Sequence, residues 1–453
     1  MSTVFDVAAR PIAAVRAVAV PRVATTMVTT AAVLASLAPS LLPRTPTMQA
    51  VVTGLLASIG LAIAALFRAL RVPPGSESTR GAALFICALA VSWSVVAATQ
   101  WQDGLRAVMG MQPVDAMYWV QTGAGSTFIL IVLYSAAIGF GRLVTALGLR
   151  RTVGLGMLTA VAVHLVAVPT VVQWRTDAYR ASNGVIDSAL SQPLSPTRSG
   201  SATSLVSWAS LGAEGRKFVA SGADTASVRS YVGLDSAPDL SARVDLAVEE
   251  LEHAGGLAKS AVVVAVPTGS GWIDANAVAG FEQRFHDDVA MVGMQYSYAP
   301  SWATFVFGRS AAEQSATALF DAVGARVAAL PAQDRPDVYL YGQSLGSVGG
   351  SAAYQRDRGT TCGALWAGPP AGAVDRRGAA VLANSSDPVV RWSPSLAVRP
   401  PDLTGTRVDA PEPQWIPLVS FVQTTVDLLG ALNAPAGHGH RYGTEQGTAM
   451  ASC

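Results

Sequence analysis

Five apolar stretches crowd the first 173 residues, at 23–42, 47–68, 82–100, 121–141 and 152–173. Each approaches the roughly 20 residues an α-helix needs to cross a bilayer. No other feature limits the fold as strongly, because lipid offers a backbone N–H or C=O no partner outside the helix itself. The expectation is an N-terminal all-α transmembrane bundle of about five helices over residues 1–173. The first stretch has no small-residue cleavage site leading into a soluble domain and a second follows at once, so it reads as a retained span.

Arginine placement orients the bundle. Arg10, Arg16 and Arg22 precede the first stretch, Arg68, Arg71 and Arg80 separate the second from the third, and Arg142, Arg150 and Arg151 separate the fourth from the fifth. The opposite side carries only Arg44 and Arg106. Positive residues favour the cytoplasmic side, so the N-terminus is expected there and everything after Trp174 outside. Four or six crossings would invert that answer. His164 is the one ionisable group near mid-membrane; it reads either as a proton or ligand site or as a neutral imidazole bonded between helices. The loop 101–119, aromatic at both ends, reads as interfacial.

The remaining residues have another character. Hydrophobic residues make up 51% of the chain and charged ones only 13%, but the charge is unevenly split. Residues 1–173 hold 11 Arg and 4 acids, net +7; residues 174–453 hold 20 basic and 26 acidic residues, net −6. A mildly acidic half excludes nucleic acid as the main partner. Residues 174–215 read as a linker, either a tether or a loosely packed collar, because the composition turns to Ser, Pro, Thr and Gly over 182–210. Over 216–453, β-rich runs at 228–232, 261–267, 288–296, 337–341, 363–367 and 380–383 alternate with helical ones at 240–254, 311–330 and 418–432. That alternation predicts a mostly parallel sheet flanked by helices.

The chemistry centres on Gly342-Gln343-Ser344-Leu345-Gly346. This G-x-S-x-G follows the β-rich run DVYLY and precedes a small-residue helix start, the context a nucleophilic serine on a strand-to-helix turn requires. Such a serine needs a base, and the base an orienting carboxylate, in the order Ser, acid, His. Only His438 and His440 lie downstream. His440, with Gly before it and Tyr two places after it, is the preferred base, and His438 is the alternative. Asp387, in Asn384-Ser385-Ser386-Asp387-Pro388 after the last strand, is the preferred acid over Asp375 and Asp402. The oxyanion hole is expected from the N–H of Leu345 together with that of Thr268 or Gly269, in the loop Pro267-Thr268-Gly269-Ser270-Gly271-Trp272. Aromatics at Trp272, Tyr296, Tyr298 and Trp302 either line an acyl pocket, dip into a membrane surface or belong to the core. Trp and Pro residues over 391–415 suggest a cap. No histidine has a Cys or acidic cluster at zinc spacing, and no P-loop or dinucleotide fingerprint occurs, so neither metal nor cofactor is expected. Cys362 and Cys453 would pair if the second half lies in an oxidising compartment.

These fragments resemble a family of actinobacterial membrane proteins with a multi-span N-terminal region and a C-terminal α/β-hydrolase domain. The resemblance rests on Ser40-Leu41-Leu42-Pro43-Arg44, Trp101-Gln102, the 267–272 loop, Gln295-Tyr296-Ser297-Tyr298, the G-x-S-x-G, Asp387-Pro388-Val389-Val390 and Gly437-His438-Gly439-His440-Arg441-Tyr442. It implies a serine hydrolase in the plasma (inner) membrane. The resulting expectation is an ester hydrolase acting on a lipid-like substrate, with an acyltransferase onto a cell-envelope glycolipid or protein as one alternative. A non-catalytic lipid-binding or signalling membrane protein is the other.

Overall fold

A computed structural model describes residues 20–222, 225–359 and 361–453. Arg10 and Arg16, used in the orientation argument, lie outside the described residues. The chain divides into two compact units.

The first unit is helical. Its first helix, α1 (Val23–Ser36), is only 14 residues long, about 21 Å at the α-helical rise. Four apolar helices are long enough to cross a membrane: α2 (Pro46–Ala69), α3 (Glu77–Val108), α4 (Ala116–Leu147) and the run Leu149–Gly184. That last run joins α5 (Leu149–Ala162) to α6 (Val168–Gly184) through a π-helical turn at Val163–Ala167, which contains His164. His164 is exposed and, among the described residues, has no side-chain hydrogen bond to another helix. Side-chain caps start three of the helices, with Thr45, Ser76 and Asp115 accepting N–H groups of the first turn. Small residues let the helices approach closely. A Cβ on Gly54 would lie 2.9 Å from Ile129 Cβ, and one on Gly60 would lie 2.9 Å from Thr29 Cα.

The expected span 23–42 is therefore corrected: helix ends at Ser36, three residues before Pro39. Residues 37–42 are non-helical. Val23 N–H bonds Pro74 O just before α3 begins, and Ser40 O accepts from Trp101 Nε1 near the far end of α3. Those anchors stand about 36 Å apart along α3, so α1 and the stretch after it together run the height of the bundle. Irregular backbone beside apolar helices needs hydrogen-bond partners from the protein itself. Leu37, Ser40, Leu41, Leu42 and Arg44 are indeed buried. Gln102 serves this stretch twice, accepting Arg44 N–H and donating to Ser40 Oγ.

Two late segments, Ser395–Pro400 and Ala410–Gly430, also belong to this unit. The second contains the helix Val419–Asp427, within the 418–432 run that the sequence assigned to the second half. Asp427 forms a buried ion pair with Arg44 (Nη2 to Oδ1, 2.8 Å; Nε to Oδ1, 3.1 Å) and accepts Leu41 N–H at 2.7 Å. Removing one partner of such a pair costs about 3–5 kcal/mol.

The second unit is built on six parallel strands in the order β1-β3-β2-β4-β5-β6. They are β1 (Val228–Val232), β2 (Ala261–Val266), β3 (Val289–Met294), β4 (Asp337–Gln343), β5 (Gly363–Ala367) and β6 (Ala380–Leu382). β1, β2 and β3 are buried throughout, as a parallel sheet covered on both faces requires. The covering helices include α7 (Gly212–Ala220), α8 (Leu240–His253), α9 (Ala275–Phe285), α10 (Ser301–Phe307), α11 (Arg309–Ala328) and α12 (Leu345–Arg356). The strand order reverses at β2, where this kind of sheet opens a crevice at its carboxyl ends.

The Ser-rich stretch is no tether. Arg198 bridges Arg229 of β1, and the buried Glu250 carboxylate accepts Ser199 Oγ, Ser204 Oγ and Leu205 N–H. This collar covers an edge strand that would otherwise expose unpaired backbone. At the chain's end, Cys362 and Cys453 are joined in a disulfide.

Candidate active site

Ser344 sits between β4 and α12 with φ 52° and ψ −122°, a conformation that L-residues rarely adopt outside functional turns. The flanking glycines are sterically required. A Cβ on Gly342 would lie 2.4 Å from Gly346 O, and one on Gly346 would lie 2.2 Å from Val266 O. Ser344 N–H bonds Ala367 O at 2.9 Å, fixing the turn to the end of β5. Its side chain is half-buried. Leu345 is the first residue of α12, where N–H groups lack intrahelical acceptors and point toward the serine.

Asp387 follows β6 and is fully buried. Its Oδ1 accepts Val389 N–H at 2.8 Å. Its Oδ2 faces His440 Nδ1 at 2.7 Å and accepts the Tyr442 hydroxyl at 2.7 Å. Burial, reinforced by the Asp387 charge, pushes the Tyr442 phenol well above its ordinary value, so it remains a donor. With Nδ1 facing the carboxylate, Nε2 is the nitrogen left to accept a proton. His440 N–H bonds Ala431 O at 3.2 Å, and the imidazole packs on Gly368, where a Cβ would be 2.8 Å from Cε1. Ala367 and Gly368 thus bring Ser344 and His440 to one strand end. No hydrogen bond yet joins Ser344 Oγ to the imidazole; in unliganded sites such bonds are often long and tighten with substrate.

His438 goes elsewhere. Its Nδ1 lies 3.3 Å from Asp409 Oδ2, and Asp409 also accepts Ser386 N–H at 2.9 Å and the Ser386 hydroxyl. Ser386 Oγ in turn accepts Gly439 N–H at 2.9 Å. The other acids are engaged too: Asp375 pairs with Arg358 and Arg377, and Asp402 caps Thr404 N–H. Hydrogen bonds from Arg377 hold the Asp375 carboxyl well below the usual carboxylate range.

The expected second oxyanion donor is already occupied. Thr268 N–H bonds Trp272 O at 2.9 Å because the loop turns back on itself, and Gly269 N–H bonds Ser301 Oγ at 3.1 Å. A Cβ on Gly269 would lie 2.6 Å from Ser301 Cα, so α10 lies directly against this loop. The four aromatics differ in burial and in partners. Tyr296 is buried and its hydroxyl supports the loop through Pro267 O at 3.0 Å. Tyr298 bonds Asp235 at 2.5 Å, and burial together with that bond pushes its phenol up to about 12. Trp272 is half-buried. Trp302 is 65% exposed on α10, beside Val306 and Phe307, the latter 83% exposed.

Sequence reasoning missed Gly368, Asp409 and the positioning role of Tyr442. Only Tyr442 had a visible signal, its place two residues after His440.

Residues 228–379 and 374–453 match the alpha/beta-hydrolase family, and residues 37–223 match the N-terminal region of that family. No curated protein and no solved structure matches the chain. The matched segments cover both the sheet with its strand-to-helix turn and the apolar helices before it, and the chain belongs to the alpha/beta-hydrolase family, N-terminal region included.

Proposed function

We propose that the protein is a membrane-anchored serine hydrolase that cleaves an acyl ester of a lipid-like substrate. The observation that carries this reading is the chain of contacts from Asp387 through His440 to the strand end that holds a strained Ser344. Ser344 Oγ attacks the acyl carbonyl and passes its proton to His440 Nε2, while Asp387 stabilises the imidazolium. His440 then gives that proton to the departing alkoxide. Water, deprotonated by His440, attacks the acyl-serine, releasing the acid and restoring the serine. Leu345 N–H is one oxyanion donor; Gly269 N–H becomes the second once Ser301 Oγ yields it. The exposed apolar face of α10 supports an amphiphilic substrate.

The site is proposed to lie outside the cytoplasm, in the plasma membrane. Arg68, Arg71, Arg80, Arg142, Arg150 and Arg151 on one side, against Arg44 and Arg106 on the other, support that orientation. So does the disulfide, which belongs in an oxidising compartment. A reporter fused after Cys453 that works only in the cytoplasm would refute the orientation. For the chemistry, acyl-labelled esters of increasing chain length are offered to the full-length protein in nanodiscs, with and without hydroxyl acceptors. The proposal expects labelled free acid from the wild type and none from Ser344→Ala. Label moving only to an acceptor would identify a transferase, and binding without turnover a non-catalytic lipid-binding protein.

A further inference from the structure

We infer that Asn384 and Ser386, held in turn by Arg407 and Asp409, are positioning residues for the catalytic base: they grip Gly439, the residue before His440, from the loop that carries Asp387. The inference rests on the reading of Ser344, Asp387 and His440 as a catalytic triad. Every residue it uses belongs to the second unit. Ser386 Oγ accepts Gly439 N–H at 2.9 Å, and Asn384 Nδ2 donates to Gly439 O at 2.8 Å. Both backbone groups of Gly439 are thus taken by side chains of the loop that leads into Asp387. Gly439 itself is left-handed, with φ +55°, a region glycine enters without strain. A small rotation about this residue would swing the imidazole away from Asp387 Oδ2, and the two bonds oppose it.

Each gripping side chain is itself fixed. Arg407 donates to Asn384 Oδ1 from Nε at 3.1 Å and from Nη2 at 2.7 Å. Those donors hold the amide oxygen on their side, so the amide nitrogen is the end that faces Gly439. The Ser386 hydroxyl has one proton, which goes to Asp409, and its lone pairs are left for Gly439 N–H. Asp409 also accepts Ser386 N–H at 2.9 Å, which fixes the carboxylate against the loop. Arg407 and Asp409 reach these partners because their segment runs beside the loop: Arg407 N–H bonds Ala383 O at 2.7 Å, and Ser385 N–H bonds Arg407 O at 2.8 Å. Asn384 and Ser386 are buried, and the Asp409 side chain is 2% exposed. Hydrogen bonds sheltered from water in this way are electrostatically stronger and hold their geometry. Acid and base are therefore placed as one part. None of the four residues touches a reacting atom.

Two full-length variants in nanodiscs test this. Asn384→Asp keeps the side chain's size and its contact with Arg407 but sets an acceptor against Gly439 O, and Ser386→Ala leaves Gly439 N–H without its acceptor. A fluorophosphonate probe gives the maximal labelling rate and the probe affinity separately, and amide hydrogen exchange reports on residues 437–442. Misplacement of a catalytic group by about 1 Å costs on the order of a hundredfold. Each variant is therefore expected to lose about ten- to a hundredfold in maximal rate with unchanged probe affinity, and to exchange faster over 437–442. A folded variant that labels at the wild-type rate overturns the inference, and so does a loss carried by probe affinity alone. Should Asn384→Asp fail to accumulate, Ser386→Ala decides alone. Wild-type protein that never labels, combined with faster exchange in the variants, would sink the catalytic reading and leave the grip on Gly439 standing; with unchanged exchange, both fall.

Discussion

Gly368→Ala separates the geometry of the base from the stability of the fold. Gly368 follows β5 with φ +54°, a left-handed conformation that costs an L-residue about 1–2 kcal/mol. An added Cβ would stand 2.8 Å from His440 Cε1, 2.9 Å from His440 Nδ1 and 2.8 Å from Tyr442 Cε2. Carbon atoms pack at about 3.5–4.0 Å, so the imidazole must retreat by roughly 0.7 Å or more. Retreat cannot be absorbed harmlessly. Nδ1 is held 2.7 Å from Asp387, and Tyr442 bonds the same oxygen. By the sensitivity of catalysis to such displacement, turnover should fall about a hundredfold, while the protein loses only a few kcal/mol and stays folded. The assay pairs hydrolysis of a short chromogenic ester at low temperature with thermal unfolding. A variant that keeps wild-type turnover, with or without a lowered melting temperature, would refute the reasoning, because the imidazole would then not rest against Gly368 in the working state.

His440→Ala should abolish ester turnover, whereas His438→Ala should lose no more than about tenfold through a looser Asp409 loop; triad loss costs on the order of 10⁴–10⁶, so a dead His438→Ala beside an active His440→Ala would exchange the two roles. The pH dependence of stability has a defined sign. Tyr231, Tyr296, Tyr341 and Tyr442 are buried, and burial raises all four phenols. The native state therefore holds protons that the unfolded chain releases near pH 10, and stability falls as pH rises beyond that value. Thermal unfolding from pH 8 to 11 should show a flat melting temperature followed by a decline; a melting temperature that rises above pH 10 would contradict the burial of these hydroxyls.

Much of the second unit was legible because strand period and turn chemistry are local. Residues 363–367 read as a strand and form one, and the run DVYLY leads into a Ser344 turn. What failed was non-local. The 418–432 run is amphipathic in either setting, and nothing in its residues says which core its apolar face will join. Hydropathy extended α1 to residue 42, but Pro39 and Pro43 interrupt the helix and the bundle supplies the missing bonds. Which histidine meets Asp387 depends on where the Gly437–Tyr442 turn points, and the structure joins His440 to it. Thr268 and Gly269 looked like free donors because glycine content reveals a loop's freedom but not which acceptors its N–H groups find. Gly368 is needed for a ring 72 residues away, a contact that no local pattern announces.

The central claim is that Ser344 is a nucleophile driven by His440. The most direct test treats full-length protein with a fluorophosphonate and maps the adduct by peptide mass spectrometry, in the wild type and in His440→Ala. The account predicts a single modified residue, Ser344, in the wild type and labelling slower by about 10⁴ or more in the variant. An adduct on another serine, or equal labelling of Ser344 in both proteins, would contradict it.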